Sequence, residues 1–235
     1  MMRYNSGSFL SSIKPVTKHL LIINILIWLA SIVFEQKFNI DLFRQLALHY
    51  WKSDLFNPAQ FFTYMFLHDK SSFVHVFCNM FSLFMFGSLV EHVLGSKRYL
   101  LYYIVCGLGA ALVQELVWQF TLPEFFKALN PETGELVLVS AYDIPTVGAS
   151  GAVFGILLAF GMIFPKMKMY IIPFPFPIQA RFVVIGYGLL ELFFGVTRSM
   201  DNVAHFAHLG GMIAGIIMIL YWKHDGTINH GRITY

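Results

Sequence analysis

Six long apolar stretches constrain this 235-residue chain more than any other feature. They run at about 19–34, 73–94, 98–120, 147–164, 181–197 and 203–222. A hydrocarbon layer of about 30 Å is crossed by roughly 20 helical residues, fewer where flanking side chains snorkel. Backbone polar groups in that layer must be paired within the segment, so each stretch is predicted to be a helix. With 57% of its residues hydrophobic and 12% charged, the chain has too little polar material to cover a water-soluble core. The expected fold class is an all-α membrane protein with six transmembrane helices over residues 19–222. A cytoplasmic segment, 1–18, precedes them, and a cytoplasmic tail, 223–235, follows.

Arg3, Lys14 and Lys18 precede the first stretch as in a signal peptide, but no small-residue cleavage site follows, so it reads as a retained membrane helix. With the N-terminus inside, ten Lys and Arg residues fall on the cytoplasmic side, among them Lys97, Arg98, Lys166, Lys168, Arg181, Lys223 and Arg232. Six fall outside: Lys37, Arg44, Lys52, Lys70, Lys127 and Arg198. Positive residues stay inside, so both termini are expected in the cytoplasm. The net charge of +3 forms no basic stripe, which argues against nucleic acid as a partner. Cys78 and Cys106 both lie in apolar stretches and suit neither a disulfide framework nor a zinc site.

Two outer loops, about 35–72 and 121–146, exceed simple turns. Phe43, Leu46, Leu48, Tyr50, Trp51 and Leu55 in the first are expected in the membrane interface. Pro173, Pro175 and Pro177 forbid a regular helix in the inner loop 165–179.

Against this apolar background, the polar residues His75, Asn79, Ser150, His205 and His208 stand out. All lie near the starts of the second, fourth and sixth helices, which run the same way, and so share one layer in the outer third of the membrane. Ser150 lies in Gly148-Ala149-Ser150-Gly151-Ala152-Val153-Phe154-Gly155, which also suits a small-residue packing face. A serine becomes a nucleophile only beside a base, and histidine is the usual one. His208 precedes Gly211 and Gly215, whose small surfaces let the sixth helix approach another closely. At about 100° per residue, His208 lies about 40° from the centre of that face and His205 about 100°. His75 and Asn79, four residues apart, share a helix face; they suit either an interhelical hydrogen bond or donors for an oxyanion. Glu115 and Glu191 are costly intramembrane acids, read as snorkelling or paired before any function is assigned. Glu91, near Lys97 and Arg98, reads as structural.

Taken together, these motifs resemble the rhomboid intramembrane proteases from Pro58 to the end of the sixth helix. The resemblance is carried by Gly-x-Ser-Gly around Ser150, His75-x-x-x-Asn79 and Ala207-His208-x-x-Gly211-x-x-x-Gly215. Thr63 to His68, Gly87 to Glu91, and Gly107-Leu108-Gly109 add to it. It implies a six-helix rhomboid-like bundle in which Ser150 is the nucleophile and His208 the base, with no third aspartate. His75, Asn79 and the Ser150 backbone N–H would form the oxyanion site. Gly148, Gly151, Phe154, Gly211 and Gly215 would support it. The implied reaction is cleavage of transmembrane protein substrates near the outer membrane face, with membrane lipid as the surroundings and no cofactor or metal. The bacterial inner membrane is the expected location.

Three positions depart from the family pattern. Ala59-Gln60 follows Pro58 where many members have Trp-Arg, so a loop-anchoring role for that Arg has no counterpart here. The interval from His68 to His75 is about two residues longer, and Phe154 replaces a common Tyr while keeping a ring that can stack on histidine.

Three other readings compete. An inactive rhomboid-like protein that binds membrane helices usually lacks the Ser or the His. A transporter with a proton relay needs polar groups across both leaflets. A zinc site at His205, His208 and His75 lacks a His-Glu-x-x-His signature.

Overall fold

The computed structural model describes residues 13–129, 134–171, 175–197, 204–229 and 232–233. Arg3, Pro173, Arg198 and the expected start of the sixth helix at 203 lie outside them. Six helices form the bundle: α1 (Pro15–Phe38), α2 (Phe73–Leu94), α3 (Ser96–Thr121), α4 (Ser150–Ile163), α5 (Ala180–Thr197) and α6 (His205–His224). All but α4 are long and apolar enough to cross a membrane.

Local chemistry sets the helix ends. Pro15 opens α1, where its missing N–H costs nothing, and Asn39 closes it in a left-handed conformation (φ 54°). The Ser72 hydroxyl accepts the His75 N–H at the start of α2, and Gly95 (φ 73°) turns α2 into α3. Glu91 accepts the Val16 and Thr17 N–H groups at 3.0 and 2.8 Å, and also the Thr17 and Ser96 hydroxyls. Its structural role, expected from the sequence, therefore rests on the unpaired N-terminal donors of α1.

The fourth helix is shorter than the predicted 147–164. Its 14 residues span about 21 Å, less than a hydrocarbon layer. Two features stop it early. Gly148 has φ 132°, outside the helical region, and Thr146 pairs with Leu48 through two backbone hydrogen bonds of 2.8 and 3.0 Å. The shortness is tolerated because α4 is central, packed by α2, α3, α5 and α6, with ten of its residues buried. Those neighbours, together with α1, carry the lipid-facing surface, in which Leu26, Phe77, Phe81, Leu189 and Phe193 are exposed. At the α4–α6 crossing, a β-carbon on Gly211 would collide with the Gly151 carbonyl, so backbone meets backbone there.

The first long loop, between α1 and α2, folds into the protein. Leu48 and Tyr50, expected in the interface, are buried, while Trp51 is exposed. Tyr50 packs edge-on against Trp118 and Tyr142 and donates its hydroxyl to Gln119. Contact with α3 thus removes from lipid what hydropathy alone assigned to it. Gln60, fully buried, ties the loop together: its Oε1 accepts the His49 N–H, and its Nε2 donates to the Gln45 and Leu55 carbonyls. A neutral amide therefore anchors the loop at the position where the family pattern has Arg. Glu115 accepts the Trp51 N–H at 3.1 Å, which also places it in loop anchoring. The second loop carries a hairpin, β1 (Phe125–Leu129) and β2 (Leu136–Ser140), with Phe125 opposite Ser140. The loop between α4 and α5 is closed by a two-residue pair, Lys168–Met169 with Ile178–Gln179, and carries no helix among its described residues.

Candidate active site

The starts of α2, α4 and α6 surround a cleft of about 1120 Å3, lined among others by His75, Asn79, Gly148, Ser150, Phe154 and His208. Ser150 is the first residue of α4, so its N–H and the next ones have no acceptor within the helix, and the positive end of the helix dipole faces the cleft. The strand-like run before it stays in place because the Gly148 N–H donates to the Tyr64 carbonyl, while the Tyr64 hydroxyl donates to the Gly107 carbonyl.

His208 Nε2 lies 2.8 Å from Ser150 Oγ. The close crossing at Gly151 and Gly211 makes this distance possible, since it draws the first turns of α4 and α6 together. Gly215 faces Tyr102 and Leu158 instead, and so sets the α3–α6 approach. The Phe154 ring stacks on the His208 imidazole at 4.3 Å and 8° between planes, as the sequence anticipated without a hydroxyl.

His75 Nδ1 accepts the Asp69 N–H at 3.3 Å, so in the neutral ring Nε2 carries the proton. A β-carbon at Gly148 would lie 3.0 Å from His75 Nε2 and 3.5 Å from Ser150 Oγ, so an N–H donor and the hydroxyl face one small space. Asn79 Nδ2 donates to the His75 carbonyl at 3.0 Å, leaving its second N–H for the cleft. Next to the site, burial pushes the His68 imidazole down to about 3, with His75 adding to the effect, so His68 is held neutral.

The sequence marked Glu191 as a costly intramembrane acid that either snorkels or pairs, and the structure shows it paired. Its Oε2 accepts from His208 Nδ1 at 2.9 Å and from His205 Nδ1 at 2.7 Å. Only a residue spacing between two helices separates these groups in sequence, and no local pattern encodes that meeting. His205 stays off Ser150 and packs beside Phe194. Among the described residues, the donors that converge as metal ligands are Glu191, His205 and His208, and His75 is not with them. A cation on His208 Nδ1 would replace the proton there and leave Nε2 protonated, unable to act as a base.

A family model described as the Rhomboid domain matches residues 56–224. The chain is 29% identical over 225 residues to Rhomboid protease AarA of Providencia stuartii, covering 88% of this chain and 72% of that protein. It is 28% identical over 149 residues to Rhomboid protein 1, mitochondrial, of Saccharomyces cerevisiae, covering 63% of this chain and 38% of that one. Rhomboid-like protein 11, chloroplastic, of Arabidopsis thaliana is 30% identical over 167 residues, covering 68% of this chain and 51% of that one. The chain thus spans between two fifths and half of the yeast and plant relatives. A helical membrane bundle with the family's motifs in order, matched over residues 56–224, belongs to the rhomboid family.

Proposed function

We propose that this protein is an intramembrane serine endopeptidase that cleaves transmembrane proteins through an acyl-enzyme on Ser150. The observation that carries the reading is the 2.8 Å Ser150–His208 hydrogen bond at the mouth of a buried helix, inside a cleft that His75 and Asn79 also line. Ser150 Oγ attacks the scissile carbonyl while His208 Nε2 takes its proton. The oxyanion is met by the Ser150 N–H, the His75 Nε2–H and the free Asn79 N–H. His208 then gives the proton to the leaving amine, and an acyl-enzyme remains. A water deprotonated by His208 attacks the ester carbonyl; the tetrahedral intermediate then breaks its bond to Ser150 Oγ, which takes the proton from His208 as the new carboxyl terminus leaves.

Water supply is favoured by the short α4, which leaves room for Asp69, Ser72 and Thr146 along the cleft above Ser150. The Lys and Arg distribution supports cytoplasmic termini and a site near the outer face of a bacterial inner membrane. The competing reading is an inactive protein that binds membrane helices. A serine-reactive fluorophosphonate separates the two: labelling of the wild type and not of Ser150→Ala is expected. Absent labelling of the wild type, or equal labelling of both, overturns the protease reading.

A further inference from the structure

The geometry points to Glu191 as a positioning residue that sets the His208 tautomer and balances the charge His208 gains, with His205 holding Glu191 in place; the inference rests on the serine-protease reading above. For His208 to take the Ser150 proton, its Nε2 must be bare, so a neutral ring must carry its proton on Nδ1. That nitrogen stands 2.9 Å from Glu191 Oε2, which can only accept when ionised. The opposite tautomer would set a bare nitrogen against the carboxylate and a proton toward the hydroxyl, losing one hydrogen bond and reversing the other.

Two further contacts make the arrangement rigid. Phe154 covers one face of the imidazole, and so opposes the ring flip that would exchange the nitrogens. His205 Nδ1 lies 2.7 Å from the same Oε2, fixing the oxygen from the preceding turn of α6. All three side chains are buried, at 7% exposure for each histidine and 9% for Glu191, so little water competes for these bonds. When the Ser150 proton reaches His208, the imidazolium lies beside the Glu191 carboxylate. That attraction exists in the transition state and not in the resting site, which is the condition for accelerating the reaction rather than tightening substrate binding.

The test compares Glu191→Gln and Glu191→Asp with Ser150→Ala in one membrane-substrate cleavage assay, each variant checked by thermal unfolding. In soluble serine proteases, replacing the aspartate behind the histidine by its amide costs about 10⁴-fold in kcat. Glu191→Gln is expected to lower kcat at least about 10²-fold with KM within about twofold, and Glu191→Asp to recover part of it. Fluorophosphonate labelling should slow in parallel, since it reads nucleophile activation without a membrane substrate. In ¹⁵N-histidine spectra of the wild type, His208 is expected to be protonated at Nδ1 and bare at Nε2. A folded Glu191→Gln protein within about threefold of wild-type kcat overturns the inference. Should Glu191→Gln not fold, the wild-type spectrum decides, and His208 protonated at Nε2 overturns it. Cleavage surviving in Ser150→Ala would instead sink the protease reading itself.

Discussion

Ser150 Oγ and His208 Nε2 stand within 2.8 Å although 58 residues separate them, and the crossing that joins them has no side chain between Gly151 and Gly211. The hydroxyl and the ring are held by different helices, so their contact depends on how closely α4 and α6 pack.

That dependence gives a stability prediction. Gly211→Ala drives a β-carbon into the Gly151 carbonyl and is expected to cost about 1–3 kcal/mol or more, with loss of activity. Gly186→Ala on α5 meets nothing within 4 Å and should leave stability within about 1 kcal/mol of wild type. Thermal unfolding in one detergent compares the two; equal effects would refute the crossing as the tight point.

The two histidines of α6 should separate cleanly. His208→Ala is expected to abolish cleavage, since no other group reaches Ser150 Oγ among the described contacts. His205→Ala is expected to retain a substantial fraction, because Glu191 keeps its bond to His208 Nδ1. Initial rates on one substrate read this directly, and survival only in His208→Ala would reverse the assignment.

For the oxyanion donors, Asn79→Ala and His75→Ala are each expected to lower kcat by about 10²- to 10³-fold, the usual cost of one such donor. KM should change far less, because the donors act on charge that develops during the reaction. Unchanged kcat in Asn79→Ala would leave that side chain as a helix-internal contact to the His75 carbonyl.

Gln60→Leu should loosen the first loop. It removes three hydrogen bonds and leaves the buried His49 N–H and two carbonyls without that partner, a loss of about 2–4 kcal/mol. Faster hydrogen exchange confined to 45–60 is the expected readout, and an unchanged exchange pattern would contradict it.

Acid should weaken the fold through His68. Its folded value of about 3 lies below the ordinary 6.5, so between those pH values the unfolded chain takes up a proton that the folded one refuses. Stability from this group is complete above pH 6.5 and is lost as pH falls toward 3, by up to about 1.4 kcal/mol per pH unit. His68→Gln should flatten that limb of a melting curve taken against pH; an identical acid slope in both proteins would rule His68 out as its source.

Helix number and placement were legible in the sequence because hydropathy is a local property, summed over some twenty neighbours along the chain. α2 begins and ends where the apolar run does, at Phe73 and Leu94. The residues of the cleft were legible for a related reason: polar groups such as Ser150, His208, His75 and Asn79 stand out in apolar helices that have little cause to hold them. What remained hidden depends on distances between segments. Tyr50 looks like an interfacial residue until α3 covers it, Leu48 until it pairs with Thr146, and Gln60 looks like a lost anchor until three loop groups converge on it. The fourth helix reads as 147–164 by hydropathy, yet Leu48, a hundred residues earlier, pairs with Thr146 and the helix starts only at Ser150. Glu191 was visible as a buried acid, but its bond to His208 exists only because α5 and α6 pack side by side. The sequence by itself determined which residues enter the membrane; only the tertiary packing decided which of their polar groups meet, since those energies depend on through-space distances that no stretch of chain contains.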